Sequence, residues 1–457
     1  MSKNVKYISS KHFGAPQLLG DKWGYGVAML RKCLCEGFNE RTDVSHISVI
    51  SEYEVKIIFA SEHQYQDHQT IVISGTTIDD INTEYFITKA EPKILYVKPY
   101  DSLINYVGTK LIELSTVSSK VSPLGFIEKF RDGDRSVFTT DENEAFLYID
   151  EREPASWPKT NANRWPIEPL VYMTDRMDDI NTPGKYIVPY DSTNPTAYNT
   201  YYKDGSYNRN GIWCFTMFGV LATSGNNAAN QLIPMDYVII GNGRLFYYIP
   251  VVPYTSTSYP VIHIFGKINN EQQSSRNKNY ILFARNTITG RDAFEYPKMA
   301  PAYINTPNNI DTQSSAKSHD LGTSNCSFLY RDGKSKNTLF LPTKLPILQS
   351  SASSVNQSGG LGIKNSAYPE PATYKYYIST IYINDTVSYA GKLSGLKWVY
   401  NADNILHKDR TIYKYKISDG SYKYLYVHKG ESLTTTSSTG IVVYNISLDN
   451  KDWHNYD

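Results

Sequence analysis

A mainly β, multidomain architecture of small barrels or sandwiches is what this chain predicts, and three observations carry that expectation. Short runs rich in Val, Ile, Tyr and Thr recur along the sequence, separated by Gly, Asn and Asp turns. Tyr alone counts 39 while only 20% of residues are charged, a balance that suits pleated, half-wet strands better than helical bundles. A single stretch, residues 21–37, carries the apolar period of an amphipathic helix. At 457 residues the chain also exceeds one ordinary core, so roughly two to four domains are expected.

The helix comes first. Trp23, Val27, Leu30 and Leu34 stand at i, i+4, i+7 and i+11, one stripe of a 3.6-residue repeat. Asp21 is placed to cap the first turn, and Gly37 sits where a left-handed residue ends the last. Residues 45–60 then alternate in two bursts, a hairpin pattern. Strands are expected at 70–74, 84–88 and 93–97, giving an N-terminal helix plus small β domain over 1–110. A β domain with loop-rich insertions follows at 111–265. Its strongest signal is the hairpin at 235–252, where two apolar runs flank Gly241-Asn242-Gly243. A Ser/Asn-rich, loop-heavy β region at 266–375 precedes a Tyr-rich β domain at 376–457. In that last domain Thr411, Tyr413, Tyr415 and Ile417 share a face opposite Lys414 and Lys416, and Asp419-Gly420 turns the chain back.

Several of these segments resemble a group of tailed-bacteriophage virion proteins. The group opens with Tyr/Phe-Ser-Ser, then Gly-Ala-Pro, then a helix ending Cys-Leu-x-x-Gly-Phe. The matching residues are Tyr7, Ser9, Ser10, Gly14, Ala15, Pro16, Cys33, Leu34, Gly37 and Phe38. Further matches in kind are Ser122-Pro123-Leu124-Gly125-Phe126 with the strand at 146–150, the stretch 171–182, the Gly241, Gly243, Arg244, Phe246, Tyr247 run, the Gly391 to Leu396 run, and Trp453. The group has Ala and Trp where this chain has Ser122 and Phe126. The resemblance covers about 1–250 and 385–457 in short motifs. It implies a virion component without an assigned chemistry.

Charge narrows the partners. A formal net charge of +1 gives no electrostatic case for nucleic acid or an anionic membrane. No leader pattern opens the sequence and no apolar run approaches the roughly 18 residues of a span, so a soluble protein made in the cytoplasm is expected. Scarce charge with abundant aromatics suits protein–protein interfaces. The four cysteines, Cys33, Cys35, Cys214 and Cys326, form no disulfide or zinc pattern; Cys33 and Cys35, at i, i+2, face different sides of the helix and read as reduced core thiols.

Few residues carry a pattern of chemistry. Asp79-Asp80-Ile81-Asn82-Thr83 recurs as Asp178-Asp179-Ile180-Asn181-Thr182; clustered oxygens can hold calcium, but an Asx turn used twice fits better. Asp132-Gly133-Asp134 and the turns at Asp204, Asp332 and Asp419 read as turn chemistry. His63 and His68, five apart, share no helix or strand face and suit a polar connection. His12, His46, His263, His319, His407, His428 and His454 are dispersed. Tyr and Trp strips such as Trp398, Tyr400, Tyr413 and Tyr415 can stack on sugar rings, though packing across a sheet is the plainer reading. Paired carboxylates for glycoside cleavage come from distant positions that spacing does not reveal.

The expectation is therefore a non-enzymatic virion component, with no catalytic, cofactor or metal residue, located in the tail or baseplate. It would work against other virion proteins and copies of itself, with the N-terminal domain as attachment unit. The alternatives are a head decoration or head-fibre protein, a protein that recognises host surface glycan, and a glycan-degrading enzyme.

Overall fold

The computed structural model describes residues 4–19, 22–112, 116–152, 169–184, 187–188, 212–217, 219–221, 231–251, 262–269, 279–287, 326–329, 335–337, 339–342, 378–385, 388–399, 410–416, 422–433 and 439–453. The fold is mainly β, with four large antiparallel sheets stacked as sandwich-like layers and one short helix. None of the described sheets closes on itself, so the barrel form of the expectation gives way to open layers.

The N-terminal sheet has eight strands from Phe38–Arg41 to Ser118–Val121, with Phe38–Arg41 at one edge and Lys110–Ile112 at the other. The expected hairpin is formed by Val44–Ser51 and Glu54–Phe59, and Thr70–Ser74, Glu84–Glu91 and Ile94–Pro99 supply the next strands. Alternation is visible in Glu54–Phe59, where Val55, Ile57 and Phe59 are buried and their neighbours are not.

A second, seven-stranded sheet joins the start of the described chain to its middle. Lys6–Ser9 pairs antiparallel with Asp236–Gly241, which continues through Leu245–Val251 and His263–Ile268 to later strands. Leu245–Val251 does not alternate. Its sequence is a continuous apolar run because both faces of this bridging sheet are covered. One face, with Tyr237, Ile239, Phe246 and Tyr248, joins the core of the helix and N-terminal sheet. The other, with Val238, Ile240, Tyr247 and Ile249, packs on Leu393, Leu396, Tyr426 and Ile446 of the six-stranded C-terminal sheet.

A third sheet carries Ile127–Asp132, Arg135–Thr139, Phe146–Asp150 and Leu170–Thr174. Leu147, Ile149, Val171 and Met173 face the main core; Tyr148 and Tyr172, register partners on the opposite face, stack at 4.5 Å.

The helix is shorter than its apolar period indicated. The α-helix runs Tyr25–Arg31 and passes into a π-turn, Lys32–Glu36. Val27, Leu30 and Leu34 are fully buried as expected, whereas Trp23 lies in the preceding turn, half-buried. The last turn widens because the Cys33 and Leu34 carbonyls accept from Leu124, Gly125 and Phe126 at 2.9–3.0 Å, and Gly37 N–H bonds back to Lys32. Gly37, at φ 78, closes the element as the sequence indicated. Asp21 lies outside the described residues. The first-turn amides instead find a distant acceptor, Glu151, which takes the Val27 N–H at 2.7 Å and the Gly26 N–H at 3.2 Å.

Candidate functional site

The segments that carry the resemblance converge on the junction between these sheets. Lys6, 2% exposed, sends its ammonium to Glu84 at 2.7 Å and to the Pro123 carbonyl. Glu84 also accepts from Asn4 and Ser122. Burial pulls the Lys6 pKa below its ordinary value, and the Glu84 carboxylate works against that pull. Ser10 Oγ donates to Asp236 at 2.8 Å and accepts the Tyr237 N–H, while the Tyr237 hydroxyl donates to the Pro16 carbonyl. The Tyr237 hydroxyl also lies 3.7 Å from Cys33 Sγ. Phe126 meets Phe246 edge to face at 5.3 Å. At the far face of the bridging sheet, Tyr247 donates to the Ser394 carbonyl at 2.6 Å and packs on Trp453. Trp453 in turn fits against Gly395, where any Cβ would overlap its indole. These contacts hold the layers together, and Ser10, Pro16, Ser122, Phe126, Phe246, Tyr247 and Trp453 are among the motif residues that make them.

Beside the junction lies an open cleft of about 350 Å³. The first strand and its turn supply Tyr7, Ser9, Lys11 and His12; the connection after Glu54–Phe59 supplies Gln66, Asp67 and His68; the bridging sheet supplies Asp236, Val238 and Val251; and Arg410 to Ile412 close the far wall. Each wall has its own support. Asp67 accepts the Ala90 N–H at 2.6 Å, and Lys11 Nζ lies 3.8 Å from Asp236. The His12 ring accepts the Ser9 N–H and stands edge-on to Tyr7; burial drives its pKa down to about 3, so it stays neutral. The His68 ring sits 5.2 Å from Tyr424, and burial lowers its pKa too.

A third feature is the Lys110–Ile112 edge of the N-terminal sheet. Among the described residues the large apolar side chains left exposed are Phe13, Leu19, Ile50, Tyr53, Ile104, Val107 and Ile112, and the last five belong to this edge. Backbone bonds from Gly108 to Val49, from Val49 to Thr109 and from Leu103 to Glu52 draw them together. Ile112 lies opposite His46 on the outer face that also carries Ile50.

The residues singled out from the sequence fall elsewhere. Asp79–Ile81 is one 3-10 turn, in which the Asn82 side chain bonds the Thr76 backbone in both directions. In the second copy Asp179 accepts from the Asn181 N–H and the Thr182 hydroxyl, an Asx turn. Asp132 and Asp134 flank Gly133 in the turn between two paired strands. His63 is buried against Phe59 and Tyr65 and accepts the Tyr65 N–H, so it does not share a site with His68. His263 accepts the Thr216 N–H at 3.0 Å. Cys33 is buried and Cys35 half-buried; burial pushes both thiols up to about 12, which disfavours the reactive thiolate. Tyr413 is half-buried. Asp204, His319, Asp332, Tyr400, His407, Asp419 and His454 lie outside the described residues, as do the side chains of Cys214, Cys326, Trp398, Tyr415 and His428. No three His, Cys, Asp or Glu side chains among the described residues converge as metal ligands.

The pairing of Lys6 with Glu84, the reach of Glu151 to the helix and the convergence of the cleft walls were not legible beforehand, because each joins segments remote in sequence and carries no spacing pattern of its own.

No helix among the described residues is long and apolar enough to cross a membrane. No known protein family matches the chain, and no curated protein does. Among solved structures, phage phi92 endosialidase aligns with 92% of this chain and 53% of its own length at 8% identity. The chain thus spans about half of that protein, and the TM-score of 0.15 leaves the likeness without weight.

Proposed function

We propose that the chain is a structural component of a tailed-phage particle, in its tail or baseplate, and works by contact with neighbouring subunits and not by catalysis. The observation that carries this reading is the apolar edge of the N-terminal sheet. Ile104 and Ile112 are 61% and 60% exposed on an edge whose outer backbone groups have no further strand among the described residues. The motif resemblance supports the same reading, since its residues sit at the joints that hold the layers in register. The N-terminal sheet would be the attachment unit.

The test is direct. Sedimentation of the chain should show concentration-dependent association, and Ile104→Lys with Ile112→Lys should abolish it while leaving the folding stability within about 0.5 kcal/mol of the parent. A strict monomer, alone and mixed with particle proteins, would count against the proposal. A density map of the intact particle with this chain traced in it would identify its neighbours and its place in tail or head.

A further inference from the structure

We propose that the cleft between the first strand, the 66–68 connection and Arg410 is a binding site for an uncharged saccharide unit. The inference is independent of the attachment edge, with which the cleft shares no residue.

The walls combine two carboxylates, Asp67 and Asp236, with two cations, Lys11 and Arg410. Such a lining has no dominant sign, so it gives neither a polyanion nor a polycation the one-signed field that would draw it in. It does offer both acceptors and donors, which is what a ring of hydroxyls needs, because each hydroxyl both gives and takes a hydrogen bond. Tyr7 and Ile412, both half-buried, present apolar surface to the C–H face of such a ring. A few placed polar groups around an apolar base is the usual make-up of a small-ligand pocket, whose volume is roughly 300–1000 Å³. At about 350 Å³ the cleft stands near the small end of that range, the size for one or two sugar rings rather than a long chain.

The backbone gives a second, separate indication. Asn39, Gln64, His68, Asn143 and Arg410 are the non-glycine residues described with positive φ, and two of them, His68 at 68° and Arg410 at 55°, line this cleft from different parts of the fold. Residues held in that sparsely populated region cluster at binding sites, where the surrounding structure fixes them.

The experiment uses the whole chain on an array of neutral and acidic oligosaccharides, followed by calorimetric titration with the strongest neutral one. Gln66→Ala and Arg410→Gly are the informative variants. Glycine adopts positive φ readily, and the Arg410 N–H bond to the Val427 carbonyl at 2.8 Å is kept. Each variant is expected to bind about tenfold more weakly, the loss of one charged or amide hydrogen bond, with an unchanged unfolding midpoint. Should either variant fail to fold, Lys11→Ala reads the same cleft from its first-strand wall. Binding of acidic glycans only, no binding across the array, or affinity unchanged in the folded variants would each overturn the proposal.

Discussion

Lys6 is a cation with almost no access to water, held by the Glu84 carboxylate and the Pro123 and Leu124 carbonyls. Deleting one partner of such a pair costs more than the pair itself contributes, because the other charge stays behind. Lys6→Ala should therefore destabilise by about 3–5 kcal/mol in denaturant unfolding, and Lys6→Met, which fills the space, by less. Glu151 behaves in the opposite sense. Burial pushes its pKa up from 4.5 to about 7 although the backbone amides of Gly24, Gly26 and Val27 favour its charge. Between those values the native carboxyl holds a proton that the unfolded chain has released. Stability should thus fall as pH rises from 4.5 to about 7, by roughly 3 kcal/mol, and be flat above that for this group. Glu151→Gln should remove this slope in a pH series of unfolding midpoints; an unchanged slope would assign it to another group.

The helix shows what local pattern does and does not specify. Its buried stripe and its glycine stop are both written in the apolar period and in Gly37. Its start and its π-turn are not, because the groups that satisfy them, Glu151 and the 124–126 segment, arrive from far along the chain. Gly37→Ala should cost about 1–3 kcal/mol, since the residue stands at positive φ and an added Cβ would collide with the Val121 carbonyl oxygen. Thermal unfolding would read the loss. The Asn242 hairpin was legible for a similar reason: a turn is a local solution, and here the Asn242 side chain accepts from the Arg244 and Leu245 amides within its own loop.

At the scale of the assembled layers, the bridging sheet decides the architecture. Both its faces are buried, so it ties the N-terminal core to the C-terminal sheet, with Trp453 as the outer clamp. Trp453→Ala removes a 5%-exposed ring packed on Tyr247 and Gly395 and should cost about 3–5 kcal/mol. Limited proteolysis of that variant should release the C-terminal strands before the N-terminal sheet is cut, because the two sheets belong to separate buried clusters.

The amino-acid sequence by itself determined that this chain is built of short antiparallel strands with one helix, where many of those strands run, and which turns join them. Period and turn chemistry are local properties, settled by residues a few positions apart. Only the tertiary structure decided that residues 6–9 pair with 238–241, that Glu151 caps a helix 124 residues earlier in the chain, and that Asp67, Asp236 and Arg410 share a cleft. Those meetings follow from how apolar faces stack, and stacking leaves no repeat in the sequence for its polar by-products.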